Sequence, residues 1–282
     1  MPFLFILPCM IILLALTIFP LIYSLWLSFN SWELAMGFPR KFIGLGNYVR
    51  MAQDARFWHS MMNMGKVLVF GVGSQFLLGL LLAVLLDRSF RGKRLISTLF
   101  LLPMMLAPVV VGCTWRQIYN YSYGPLNYIL QGISLPAFDW LASPHLSLPS
   151  IIISDTWEWT PFFMVVLLAG LQSISPELRE AASIDGASSW QIFYHVVLPL
   201  LKPVIIVAIL IRMMDAFKLF DLVVLLTKGG PGGSSETIAY YNYLTGFKHF
   251  SMGYAAALSY IQLVVIIIIA NIFLKFLTEE KG

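Results

Sequence analysis

Asp155, Glu158, Lys202, Arg212 and Asp215 sit inside stretches of the chain that are otherwise apolar. An ionisable group that faces lipid costs at least ~2.5–3.5 kcal/mol on insertion scales, so these side chains must face protein or water. Asp155, Trp157, Glu158, Trp159 and Phe162 combine hydrogen-bond acceptors with flat apolar faces, the mixture that the hydroxyls and C–H faces of a sugar require. On a helix that turns about 100° per residue, Asp155, Glu158 and Phe162 share one face while Trp157 points away. The expected solute pathway therefore comprises Asp155, Glu158, Trp159, Phe162 and Asp215. Two plainer readings compete. Asp155 and Glu158 can lie at a wet helix end, with Trp157 and Trp159 in an interfacial aromatic belt. Arg212 and Asp215, three residues apart, can form an ion pair that neutralises both charges, and that pairing is favoured over sugar contact.

No arrangement for bond-making chemistry accompanies these residues. His59, His145, His195 and His249 are scattered, and the sequence holds no HExxH, GxSxG or cysteine ligand set, so neither a catalytic residue nor a metal site is expected. It also lacks a G-x-x-x-x-G-K-[ST] phosphate loop, which assigns any ATP hydrolysis to another chain. An ion-coupled secondary transporter is the alternative in a different class, with Asp155, Glu158, Arg212 and Asp215 as a proton relay.

The elements that must position these residues are membrane helices. Apolar residues make up 59% of the chain and charged ones 11%, and the mean hydropathy is +0.81, beyond what a soluble domain carries. A hydrocarbon core of roughly 30 Å needs about 20 residues per crossing, and six runs meet that length. They extend over Pro2 to about Leu27, Val67–Leu86, Leu95–Trp115, about 149–171, about 196–218, and Phe250–Leu274. The first lacks the basic start and cleavage site of a secretory signal and is read as a retained helix. The expectation is an all-α polytopic membrane protein with six transmembrane helices, forming a single domain over residues 1–282. Arg88, Arg91, Lys93 and Arg94 crowd the link after the second run, which places that link and both termini in the cytoplasm. Arg40, Lys41, Arg50 and Arg56 then fall outside, so the dense short link decides the orientation. Cys9 and Cys113 read as small buried apolar residues within runs, with no disulfide framework or redox motif.

Between the fourth and fifth runs lies a helical hairpin, about 175–199. Ser175, Pro176 and Glu177 have the character of a helix start, and Asp185-Gly186 suits a turn with positive φ. Trp190, Phe193, Tyr194, Val197 and Leu198 then recur at helical spacing as one apolar face ahead of Pro199 and Pro203. Amphipathicity alone fits an interfacial helix resting on the bilayer equally well.

The order of residues in this hairpin carries a resemblance. Glu180, Ala181, Ala182, then Asp185, Gly186, and finally Leu198-Pro199 are similar to the EAA loop of binding-protein-dependent ABC importer permeases. Phe42-Ile43-Gly44-Leu45-Gly46-Asn47-Tyr48 resembles their first external loop. Phe217, Lys218, Phe220 and Asp221, followed by Leu226, Thr227, Gly229, Gly230 and Pro231, resemble a further signature of the carbohydrate uptake type, specifically its MalF/UgpA-like half. Gly253 to Ala257 and Ser259 match the start of its last span. The resemblance implies a type I ABC importer permease core in a bacterial cytoplasmic (inner) membrane, working by alternating access. It implies a MalG-like second permease, two copies of an ABC ATPase holding ATP and magnesium, an extracytoplasmic solute-binding protein, and no nucleic acid. Glu180, Ala181, Ala182, Asp185 and Gly186 would then form an ATPase-coupling helix, and Asp155, Glu158, Trp159 and Phe162 would match the family's solute-contacting stretch. Gly229, Gly230 and Pro231 would face the binding protein as a re-entrant loop, although glycines and proline punctuate any external turn. The solute is expected to be a sugar or sugar-like molecule, and the acidic stretch disfavours a phosphorylated one.

Overall fold

The structure, a computed structural model, describes residues 2–34, 37, 39–88 and 90–278. Among the described residues, five continuous helices are long and apolar enough to cross a bilayer: α1 (Ile6–Ser28), α3 (Ala55–Asp87), α7 (Ser147–Ser173), α9 (Ser189–Ala216) and α12 (Met252–Thr278). A sixth crossing is broken. The run expected as one helix over Leu95–Trp115 forms α4 (Lys93–Met105) and α5 (Pro108–Ile118), bent by 96°. Proline explains the break. Pro108 pushes the residue before it out of the helical region, and Leu106 and Ala107 are both extended, with ψ of 145° and 140°.

Two other boundaries move. α3 begins at Ala55, twelve residues before the apolar run expected to start at Val67, because Asp54 caps it by accepting from the Arg56 and Phe57 amides. The second limb of the hairpin is also the first part of α9, which runs from Ser189 through Pro199 and Pro203. A π-helical turn over Phe193–Val197 precedes these prolines, and wider turns of this kind accommodate residues that cannot donate to the helix ladder. Similar turns interrupt α1 at Leu14–Ile18 and α3 at Val67–Val72.

Shorter elements join the spans. A two-residue pair, β1 (Asn30–Ser31) with β2 (Lys41–Phe42), runs antiparallel with Asn30 opposite Phe42. Helix α2 is Gly46–Gln53, α6 is Pro125–Gly132, α8 is Pro176–Ile184, α10 is Asp221–Leu226 and α11 is Ile238–Tyr243.

In lipid the hydrophobic effect gives little drive for helices to associate, so close packing must hold the spans together. The tightest pair is α3 with α7. Gly79 makes it possible, since a Cβ there would lie 2.4 Å from the Phe163 Cβ. Around this seam Met64, Val67, Val72, Ala83, Phe163, Leu167 and Leu201 are fully or almost fully enclosed. A second cluster joins α5, α7 and α10 through Val111, Tyr119, Ile151, Leu222 and Val223. α4 has no buried residue, and α1 presents apolar side chains outward from Ile6 to Trp26 and buries only Leu27 and Ser28 at its end. The Asp87 end of α3, the Leu171 end of α7 and the hairpin meet on one side, where Arg179 bonds both. The dense basic link and the hairpin therefore share a face, as the charge pattern requires.

Candidate functional site

Asp155 and Glu158 lie within the first half of α7, and Arg212 and Asp215 within the last turns of α9. Between them opens a cleft of about 190 Å³, lined also by Pro108, Trp159 and the connection from Lys218 to Leu222. Asp155 is 1% exposed and fully committed. Both of its carboxylate oxygens accept from Nη2 of Arg212 at 2.7 Å, and Oδ2 accepts from the Gln75 amide at 2.7 Å. Arg212 also donates from Nε to Gln75 Oε1 at 2.9 Å and from Nη1 to Asp215 at 3.2 Å. Its guanidinium lies 4.7 Å from the centre of the Trp159 ring. A buried ion pair of this kind is tolerable only when the remaining donors and acceptors are filled, and Gln75 fills them. Asp215 is shared, since Lys218 Nζ approaches its other oxygen at 2.8 Å.

Glu158 differs from its neighbour one turn away. It is 4% exposed, lines the cleft, and makes no hydrogen bond or ion pair among the described residues. Trp159 lies beside it. The structure thus brings together Asp155, Glu158, Trp159 and Asp215, four of the five residues expected on the pathway. Phe162 is elsewhere: it packs edge-on against Phe163 and into the α3–α7 core. A shared helix face does not fix what lies opposite it. One turn beyond Glu158 the facing wall is α3, with Phe76 against Phe163, so the cleft has closed. Trp157 points away, partly exposed and edge-on to Trp115 at 5.8 Å. The favoured pairing of Arg212 with Asp215 is present, but Asp155 is the closer partner.

Other lining residues carry the family resemblance. Lys218, Phe220 and Asp221 belong to the F-K-x-F-D signature, and they form one wall of the cleft while Phe217 is buried in the core. Gln75 escaped notice, although an amide in an apolar run is itself a signal of a polar partner inside the membrane.

The hairpin has the expected geometry. α8 starts after Ser175 and ends before Asp185, and Gly186 has φ of +87°, a conformation that side chains with a Cβ rarely adopt. Glu180, Ala181, Asp185 and Gly186 are exposed and Ala182 half-buried. Ser175 does not cap through its side chain; it donates to Glu177 instead. The side-chain cap belongs to the next helix, where Ser188 and Gln191 make a reciprocal capping box.

On the opposite face, Glu236 accepts two hydrogen bonds from Arg56, at 2.8 and 2.7 Å, and one from Ser60 at 3.1 Å. Asn63 donates to the Gly233 and Glu236 carbonyls. These contacts hold the Gly229–Gly233 turn against α3. Gly229 is buried beneath Tyr240, Gly230 and Pro231 are half-buried, and the Gly230-Pro231 bond is cis. Nearby, Asp54 accepts from the hydroxyls of Tyr241 and Tyr254. Burial alone would raise the Asp54 pKa. The two tyrosines and the capped amides outweigh it and hold the carboxyl below its usual range. Burial and the bond to Asp54 push the Tyr241 hydroxyl up to about 12, so it remains a donor.

Comparison with known proteins decides the class. Residues 75–279 match the family described as binding-protein-dependent transport system inner membrane component. The chain belongs to this family. The trehalose/maltose transport system permease protein MalF of Thermococcus litoralis is 35% identical over 97% of this chain and 92% of that protein. The trehalose transport system permease protein SugA of Mycobacterium tuberculosis (strain H37Rv) is 36% identical over 97% and 87%. A crystal structure of a bacterial ABC transporter involved in import of the acidic polysaccharide alginate superposes with a TM-score of 0.84. It has 25% identity and covers 97% of this chain and 93% of that one. As an inner-membrane permease subunit of a binding-protein-dependent system, the chain is not itself the catalyst, and the ion-coupled alternative has no support.

Proposed function

We propose that this permease conducts a neutral sugar through the cleft between α7 and the end of α9, with Glu158 as the principal acceptor. The observation that carries the reading is the contrast within one helical turn: Asp155 is saturated by Arg212 and Gln75, whereas Glu158 is enclosed and unpartnered at the cleft. A carboxylate accepts from two sugar hydroxyls, and the adjacent Trp159 offers an apolar edge to ring C–H groups. The relatives named for trehalose and maltose transport fit such a solute. Four carboxylates line the cleft against the cations Arg212 and Lys218, an excess of negative charge that disfavours an acidic cargo.

The rest of the assembly follows the family pattern. A MalG-like second permease and two ATPase subunits, holding ATP and magnesium, would complete the core. Glu180, Ala181, Asp185 and Gly186, with the half-buried Ala182, form the face that docks on an ATPase, and the cytoplasm is on that side, with both termini. The Gly229-Gly230-Pro231 turn faces the solute-binding protein outside. ATP-driven closure of the ATPases moves α8, and the permease halves rock between outward and inward access.

Uptake of labelled trehalose and maltose by cells expressing the full transporter tests the site. Glu158→Gln should lower the transport rate about 10- to 100-fold for the carried sugar, since loss of one charge-assisted hydrogen bond costs ~1.5–3 kcal/mol. Unchanged rate and unchanged preference between the two sugars would remove Glu158 from the pathway. Uptake that survives vanadate would contradict an ATP-driven cycle.

A further inference from the structure

Arg179, in the middle of α8, points back into the membrane body and reaches two spans at once. Nη1 donates to Asp87 Oδ2 at 2.6 Å and Nη2 to the Leu171 carbonyl at 2.9 Å. Asp87 is the last residue of α3, and Leu171 lies in the last turn of α7. Both positions carry the negative end of a helix dipole, where carbonyls lack intrahelical partners and a carboxylate is the wrong charge. Asp87 is therefore poorly placed for the stability of α3 alone, and Arg179 supplies what both helix ends lack. The covalent chain joins α8 to α7 through Ile174 and Ser175. Nothing in the chain order joins α8 to α3, which precedes it by some ninety residues, so that link is made by the ion pair.

We propose that Arg179 is a positioning residue, the latch that transmits displacement of α8 to the α3–α7 pair and hence to the cleft. This rests on the reading of α8 as the ATPase-coupling helix. α3 and α7 meet closely at Gly79 and Phe163 and move as one body, which carries Gln75, Asp155, Glu158 and Trp159. Through Asp155 and Gln75 that body holds Arg212 on α9. A pull on Asp87 and Leu171 is thus conveyed along two rigid helices to one wall of the solute site. The pair is also partly exposed, 31% for Arg179 and 19% for Asp87, and Arg179 Nε is buried without a hydrogen bond.

The test uses the assembled transporter with its partner permease and ATPases, in a Cys9→Ser, Cys113→Ser background, since both native cysteines are exposed. Spin labels at Leu16→Cys on α1 and Ile153→Cys on α7, both exposed, report the displacement of the α3–α7 body against the outlying helix α1 with and without ATP and vanadate. The expected result is a nucleotide-dependent change that R179Q reduces at least twofold while the ATPases remain bound. D87N, which keeps the shape and loses the charge, should do the same, and the R179D/D87R exchange should restore most of the change. Full amplitude in R179Q or D87N with the ATPases bound overturns the latch, as does an exchange variant that assembles but recovers nothing. If R179Q fails to assemble, D87N decides. A parent protein with no nucleotide-dependent change, or Gly186→Val with unaltered ATPase binding, overturns the coupling reading instead.

Discussion

The cleft and the coupling face both depend on an arginine bound to an aspartate, and they treat it oppositely. Arg212 is 2% exposed, touches Asp155, Gln75 and Asp215, and stacks on Trp159, so its geometry is overdetermined. Arg179 sits at a partly wet surface with one carboxylate, one carbonyl and a spare donor. The difference shows where the protein invests rigidity. The solute wall is fixed by a saturated network, and the joint that must respond to another subunit is held by fewer and more exchangeable bonds.

The comparison breaks most visibly at Arg212. Arg212→Met leaves Asp155 as an uncompensated buried charge and should destabilise the fold by ~3–5 kcal/mol, read as a lower unfolding midpoint in detergent and a loss of expressed protein. Adding Asp155→Asn to the same chain should recover part of that loss, because the orphaned charge is removed. On the other face, Gly186→Val forces a β-branched residue to φ of +87°, a strain of order 1 kcal/mol or more, and misplaces Glu180. Its unfolding midpoint should barely move while co-purification of the ATPases falls several-fold. Equal effects on stability at the two sites would erase the distinction between network and joint.

The smallest effect concerns acid. The folded-state pKa of Asp54 is depressed, so its contribution is fully present above the ordinary carboxylate value of 3.8 and is lost as pH falls through the lower folded value. Asp54→Asn should therefore lower stability modestly in the neutral range, flatten the acid limb and meet the parent once pH has fallen below the folded value, as thermal unfolding across pH would show.

Much of this was legible in the sequence, for reasons that differ between regions. The hairpin could be read residue by residue because its signals are local: a proline start, Asp185-Gly186 at the turn, and apolar spacing through Leu198. The placement of Asp155, Glu158 and Asp215 on one cleft follows from the cost of charge in lipid, and that of Trp159 from the apolar face a sugar needs beside its acceptors. What could not be read was which acid is paired, because Gln75 and Arg212 approach Asp155 from α3 and α9, 80 and 57 residues away. Helical geometry and the resemblance both put Phe162 on the cleft, and they locate a face and a stretch of chain but not the neighbour that covers it. The Arg179–Asp87 bond spans 92 residues and leaves no periodic trace. The broken third crossing had its cause in plain view, in Pro103 and Pro108, but an apolar run of adequate length conceals whether the helix within it is continuous.

That break bears on the surrounding bilayer. Thirteen residues of α4 rise about 20 Å, against a hydrocarbon thickness of roughly 30 Å, and the chain then turns through 96°. At this edge the subunit is too short for its solvent, a hydrophobic mismatch that is relieved by local thinning of the membrane or by a neighbour packed along α4, which has no buried residue of its own. Membrane thickness is then a variable acting on this transporter at one side and not the other, and thick-lipid vesicles should strengthen association along α4 where thin-lipid vesicles relax it.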